Sequence, residues 1–167
     1  MDAMEAILTR RSIRRYTAQA VSDELITELL QAAMSAPSAG NQQDWHFVVV
    51  RNRQVLDELG KVHPHAPLSG APLAVLVCGN LQLESHQGFW SQDCAAATQN
   101  LLLAAHARGL GAVWCGCYPR EQRVAALRKV LDLPEHIVPL ALVVIGYPAE
   151  TKGREDRYDP AKVRVVN

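Results

Sequence analysis

Helices and apolar strands alternate through most of these 167 residues, and that alternation predicts a layered fold of the α/β kind. The apolar runs LAVLVC and PLALVVI are too short to span a bilayer and suit buried strands. The segments between them carry helical spacing and stop at Pro or Gly. A chain of this length fits one domain, 1–167, and can bury roughly 68–70% of its unfolded surface without staples.

The elements follow in order. MDAMEAILTR has helical spacing through Met4, Ile7 and Leu8. Ser22 is a good N-cap for a second helix, DELITELLQAAMSA, with Asp23 and Glu24 in its first turn and Leu25, Leu29, Ala32 and Ala33 on one face; Pro37 stops it. WHFVVV reads as a strand and NRQVLDELGKV as a helix ending near Gly60. After the turn-rich HPHAPLSGAP comes the buried strand LAVLVCG. The next helix runs from about Asp93 to Arg108, with Gly109 just past its end. It is apolar nearly all round, so it must be covered on every side, in part by a second copy of the chain. GAVWCGCYP predicts a strand, REQRVAALRKVL a helix and IVPLALVVIGYP a long buried strand. The tail AETKGREDRYDPAKVRVVN is polar and predicts an arm.

Charge narrows the function. With 17 Lys+Arg against 17 Asp+Glu the net charge is zero, which argues against nucleic-acid binding through a general field, so any basic site must be local. The N-terminus lacks the apolar core of a signal peptide and no run reaches membrane-spanning length, so the expectation is a cytoplasmic protein without a membrane partner. Cys78, Cys94, Cys115 and Cys117 lack disulfide-framework spacing, and WCGC is too tight for a CxxC pair. His46, His63, His65 and His86 have no Cys or carboxylate at ligand spacing, so no metal site is expected.

The basic residues are concentrated in TRRSIRRY, where Arg10, Arg11, Arg14 and Arg15 meet no acid between Thr9 and Ala20. On a continued helix these cations would stack four apart and repel. Two readings stay open: cations solvated at a helix C-terminus, or a site for an anion such as phosphate gripped by guanidinium forks, with Ser12 adding a hydroxyl. APSAGNQQDW reads either as a helix–strand loop or as a polar cradle, through Ser38, Asn41, Gln42 and Gln43, for a planar ligand. GLGAVWCG turns on two glycines into a strand whose end could face a ligand through its backbone. A GxGxxG fingerprint, a P-loop and a G-x-S-x-G elbow are all missing, which disfavours a Rossmann dinucleotide fold.

Taken together, RRSIRRY, APSAGNQQDW, DCAAATQNLLLAAHARGLGAVWCG and the R-x-x-R-Y-D tail resemble the nitroreductase family of flavin enzymes, over about Met4 to Val163. The resemblance implies an α+β three-layer sandwich: one mixed, mostly antiparallel sheet flanked by helices, in an intertwined homodimer. Two FMN molecules would lie at the subunit interface. Arg10, Arg11, Ser12 and Arg14 would hold the phosphate and part of the flavin edge. Pro37, Ser38, Asn41 and Gln43 would come from the neighbouring subunit. Trp114, Cys115 and Gly116 would lie beside the ring, and Arg154 and Arg157 would return to the phosphate. NADH or NADPH would supply hydride, and a nitroaromatic or quinone would accept the electrons in a ping-pong cycle that needs no dedicated catalytic side chain. The loop from Leu81 to Trp90 would overhang the substrate slot, with Phe89 and Trp90 as specificity residues.

Two positions depart from the family pattern. Asp44 stands where members often carry Pro, and Glu155 where close relatives carry Lys. Other flavin chemistries of relatives (dehalogenation, azoline oxidation, flavin fragmentation), a non-catalytic flavin module and a cofactor-free anion-binding domain remain alternatives.

Overall fold

A computed structural model describes residues 1–166. The helices are α1 (Ala3–Thr9), α2 (Asp23–Met34), α3 (Arg53–Val62), α4 (Trp90–Ala107) and α5 (Glu121–Val130). The strands are β1 (Trp45–Val50), β2 (Leu73–Asn80), β3 (Gly111–Gly116) and β4 (Ile137–Gly146). They form one sheet in the order β1-β2-β4-β3. Every neighbouring pair is antiparallel; the parallel component is the single bridge from Ser12 to Ala112.

Period two explains the layers. On β2 the side chains of Leu73, Val75 and Val77 join the core formed with α2 and α4, whereas Ala74, Leu76 and Cys78 join the core formed with α3 and α5. Val143 and Ile145 of β4 face the first core, and Leu142 and Val144 face the second. The two central strands are therefore covered on both faces, which is why they read as unbroken apolar runs. Helices on both sides of one antiparallel sheet make the three-layer α+β sandwich.

Local signals set the helix ends. Ser22 Oγ accepts from the Leu25 N–H at 3.3 Å, capping α2. Asn52 caps α3 through the Val55 N–H at 3.2 Å, and Gly109 leaves α4 in a left-handed turn at φ 75°. Leu101 in mid-α4 is fully buried, a burial that stabilises the fold by about 1.5–3 kcal/mol.

Helix α1 behaves differently. Of its seven residues only Ala6 is buried, while Met4, Ile7 and Leu8 stand in solvent. The apolar spacing that predicts this helix therefore faces outward from the chain. Beside it an apolar groove of about 480 Å³ is lined by Met1, Ile7, Ala32, Leu103, Ala104 and Ala107, among others. Among the described residues, no helix is long and apolar enough to cross a membrane.

Candidate active site

The clustered arginines do not stack on a helix. Helix α1 ends at Thr9, Arg10 is its cap at φ −56°, ψ 128°, and residues 10–16 run extended along the sheet edge. The Ile13 N–H donates to the Ala112 carbonyl at 3.0 Å, and the Ile13 side chain packs over Gly111 so closely that a β-carbon there would overlap it. Tyr16 anchors the far end, its hydroxyl donating to the Ile13 carbonyl at 2.5 Å and the Val144 carbonyl at 3.1 Å. The extended path separates Arg10 and Arg11, which line one cavity, from Arg14, which does not.

Arg10 and Arg11 reach a cavity of about 220 Å³ that the tail closes with Arg154, Glu155, Asp156 and Arg157. Four arginines against two acids leave two positive charges uncompensated. Burial lowers the Arg10 pKa, and the neighbouring charges of Arg157 and Arg11 lower it further, as expected of cations held close together. Glu155 lies inside this cluster: its carboxylate is 2.5 Å from Arg11 Nη2 and 2.8 Å from Arg157 Nη2. Arg11 also donates to the Gly153 carbonyl. Lys152 is occupied elsewhere, donating to the Ser12 carbonyl at 2.7 Å. Ser12 itself does not line the cavity; its contacts are this carbonyl and the bridge to Ala112. Arg14 does not line the cavity. Its N–H donates to Glu150 at 2.6 Å, and its charge opposes the burial that pushes the Cys115 thiol up to about 11.

Trp114, Cys115 and Gly116 end the edge strand β3. Cys115 is buried against the α3–α5 side; Trp114 and Gly116 are exposed. An edge strand turns one row of backbone groups away from its neighbour, here β4, and so offers a ligand amides rather than side chains. The Gly116 carbonyl accepts from Arg123 at 2.7 Å, with His63 Nε2 at 3.1 Å.

Pro37, Ser38, Asn41 and Gln43 form the third group, on the turn before β1. Gly40, Asn41 and Gln43 all sit in the left-handed region, at φ 55°, 56° and 49°, where non-glycine residues other than Asn and Asp are uncommon. Ser38 Oγ accepts from the Gln43 N–H, and Asn41 Oδ1 from Gln43 Nε2, each at 3.0 Å. Within one chain this group is not brought to the arginines. β1 and β3 are opposite edges of the sheet, three strand spacings apart, or ~14 Å.

Beneath that turn lie two acids whose environment the sequence did not reveal. Asp44 is fully buried; its Oδ2 accepts from Gln42 at 3.0 Å and its Oδ1 has no partner. Burial, and then the charge of Asp93, push its carboxyl up to about 6. Asp93, also buried, accepts from the Ala39 N–H at 3.0 Å and Gln42 at 2.7 Å. Trp90 differs from expectation as a slot residue: it is the buried first residue of α4, stacked edge-on against Tyr118 at 4.9 Å and filling the space over Gly79. Phe89 is exposed.

The single-sheet α+β sandwich is shared with solved nitroreductases. A solved NADH oxidase, provisionally so named, from Clostridium acetobutylicum superposes with a TM-score of 0.94 at 40% identity, covering 97% of this chain and 99% of that one. A provisionally named nitroreductase from Desulfovibrio desulfuricans, solved in complex with FMN, gives 0.88 at 35% identity over 100% and 98% of the two chains. In sequence, a Methanothermobacter thermautotrophicus protein, provisionally named NADH dehydrogenase/NAD(P)H nitroreductase, is 50% identical over 99% of this chain and 87% of its own length. The nitroreductase family model matches residues 7–75 and 67–147. The chain belongs to the nitroreductase family.

Proposed function

We propose that this chain is an FMN-dependent oxidoreductase that oxidises NADH or NADPH and reduces nitroaromatic or quinone-type acceptors in a ping-pong cycle. It works as a homodimer with FMN at the subunit interface. The observation that carries this reading is the arginine cavity, whose two surplus positive charges match a phosphate monoester dianion. At about 220 Å³ it admits the phosphate but not a whole flavin, so the ring must lie outside, along the edge of β3.

The donor set fits FMN. Arg10, Arg11, Arg154 and Arg157 hold the phosphate, and the Ser12 backbone is pinned beside it by β3 and Lys152. Arg14 lies toward Cys115 and suits the polar edge of the ring. Trp114, Cys115 and Gly116 offer backbone groups to the ring, with the exposed Trp114 side chain shielding it from water. Pro37, Ser38, Asn41 and Gln43 are too far across the sheet to join these groups in one chain, and a second copy supplies them. The outward apolar face of α1 and the groove beside Leu103 are the surface such a copy would cover.

When bound, FMN supplies the hydride-accepting centre that passes electrons onward. The protein's part is electrostatic: cations and N–H groups along one ring edge favour the negative charge that develops there.

An absorption spectrum of the purified protein tests this, before and after NADPH is added without oxygen. Flavin bands that bleach, with NADPH oxidation stimulated by nitrofurazone or menadione, are the expected result. Bleaching without acceptor stimulation favours another flavin chemistry. A flavin that NADPH cannot reduce favours a non-catalytic module, and a protein colourless even after FMN addition overturns the reading.

A further inference from the structure

Gln42 lies between two candidate flavin contacts, Asn41 and Gln43, yet its own side chain turns inward. Its Nε2 donates to Asp44 Oδ2 at 3.0 Å and Asp93 Oδ2 at 2.7 Å, using both amide hydrogens. Its Oε1 accepts from the backbone N–H groups of Ser85 and His86, each at 2.9 Å. Two carboxylates on one side and two N–H groups on the other fix the amide's orientation, since a flipped amide would set its oxygen against two acids. The His86 ring fills the space over Gly40, where a β-carbon would overlap it. The other side-chain anchors of this loop are local: Asn80 holds the Gln82 N–H at 3.1 Å, and Glu84 holds the Gly88 N–H at 2.6 Å and the Trp90 N–H at 3.2 Å. Among the described residues, Gln42 is the side chain that hydrogen-bonds the loop to the 38–43 turn.

We propose that Gln42 is a positioning residue that pins the Ser85–His86 turn over the 38–43 turn and so sets how large an acceptor can approach the flavin. The inference rests on the flavin-enzyme reading above. Leu81, Leu83 and Phe89 are exposed apolar side chains of the loop it holds, and Leu83 and Phe89 flank the pinned turn. Movement of that turn shifts both relative to Ser38, Asn41 and Gln43.

The test uses three variants and two readouts. Gln42→Met keeps the side-chain length and removes all five side-chain hydrogen bonds, the one from the Ser85 hydroxyl at 3.4 Å included. Hydrogen exchange of the 81–89 segment in the cofactor-free protein is expected to quicken by about tenfold or more. In the FMN-loaded enzyme the ratio of KM for menadione to KM for nitrofurazone should change by roughly threefold or more, with FMN affinity held within about twofold. Asp44→Asn is the conservative control, because the asparagine oxygen still accepts from Gln42: exchange should not quicken, and the KM ratio should stay as in wild type. Gln42→Glu removes the donor and places a third carboxylate beside Asp44 and Asp93, with Glu84, His86 and Cys94 as the neighbouring titratable groups. Its defect should shrink as pH falls toward 5 and a proton restores a donor, a dependence that mere packing would not show.

Unchanged exchange in Gln42→Met overturns the clamp. Faster exchange with an unchanged KM ratio overturns the positioning role. If Gln42→Met fails to fold, the Gln42→Glu pH series decides, and a flat series overturns the proposal. A wild-type chain that takes up no FMN overturns the flavin reading and this role with it, while the exchange data still judge the clamp.

Discussion

The Glu155 carboxylate lies 2.5 Å from the Arg11 guanidinium across 144 residues of chain. It bridges to Arg157 as well, at 2.8 Å, so the tail brings its own anion into the cationic pocket. The two arginines hold the Glu155 pKa below the usual carboxylate value, and the acid is ionised at neutral pH. A phosphate entering the cavity must compete with it.

Replacing that acid should therefore strengthen cofactor uptake. Glu155→Gln is expected to raise FMN affinity by roughly three- to tenfold at low salt, shrinking as salt screens these exposed charges. Flavin-fluorescence titration measures it, with riboflavin as the control. Riboflavin has no phosphate and should bind both proteins alike. Equal gains for riboflavin and FMN would mean that Glu155 acts on the fold and not on the anion.

Arg10 is the cation least able to find another partner: among the described residues its guanidinium has no hydrogen-bonded acid, and it is half-buried. Arg10→Ala should weaken FMN by about 1.5–3 kcal/mol, roughly ten- to a hundredfold. Arg14→Ala, outside the cavity, should cost less. The same titration ranks the two, and an equal or reversed order would remove Arg10 from the phosphate site.

The legible part of this protein is what short-range rules decide. Ser22, Pro37 and Gly109 bound their helices as capping and breaker chemistry requires, and the two central strands show as apolar runs because both faces are covered. Strand direction is different. A helix lies between every pair of strands consecutive in sequence, which suggests parallel pairing, yet β1–β2 and β3–β4 are antiparallel neighbours. Nothing local separates a helix that crosses a sheet from one that returns beside it. The four arginines are conspicuous in the sequence, whereas the pairing of Arg11 with Glu155 is not, because only the path of the tail brings the two together. Asp44 reads as one more polar loop residue until the first turn of α4 closes beneath it. Trp90 stands in a loop-like stretch, and its burial depends on the space over Gly79 on another strand.

Helix α1 supplies a test of assembly. Ile7 is 51% exposed, so in an isolated chain Ile7→Lys should change stability by no more than about 0.5 kcal/mol. If a second copy covers this face, burying an unpaired ammonium there should shift the protein to monomer at micromolar concentration and lower FMN occupancy. Ile7 also lines the arginine pocket, so Met4→Lys, at a residue 61% exposed on the same helix and outside that lining, is made beside it. Loss of dimer and flavin in Met4→Lys would follow from lost assembly. Sedimentation velocity with flavin absorbance reads both. A variant that remains dimeric and yellow would place the interface elsewhere.

Asp44 should make the stability of the fold depend on pH. The residue is wholly buried, and burial together with the charges of Asp93 and Glu84 raises its carboxyl from 3.8 to about 6. A raised folded-state pKa means that the unfolded chain gives up this proton more easily. The stability linked to Asp44 is then fully present below pH 3.8 and is lost as pH rises through about 6. A rise of that size corresponds to about 3 kcal/mol, or roughly 6–12 °C in Tm for a chain of this length. Asp44→Asn keeps the hydrogen bond from Gln42 and removes the charge. Its Tm should match wild type near pH 3 and exceed it progressively toward pH 7.5, and taking the difference between the two proteins cancels the other titrating groups. Thermal unfolding followed by circular dichroism across that range gives the curve. Parallel Tm profiles would mean that Asp44 carries its charge in the folded chain at no cost, which a wholly buried carboxylate with one oxygen unpartnered should not be able to do.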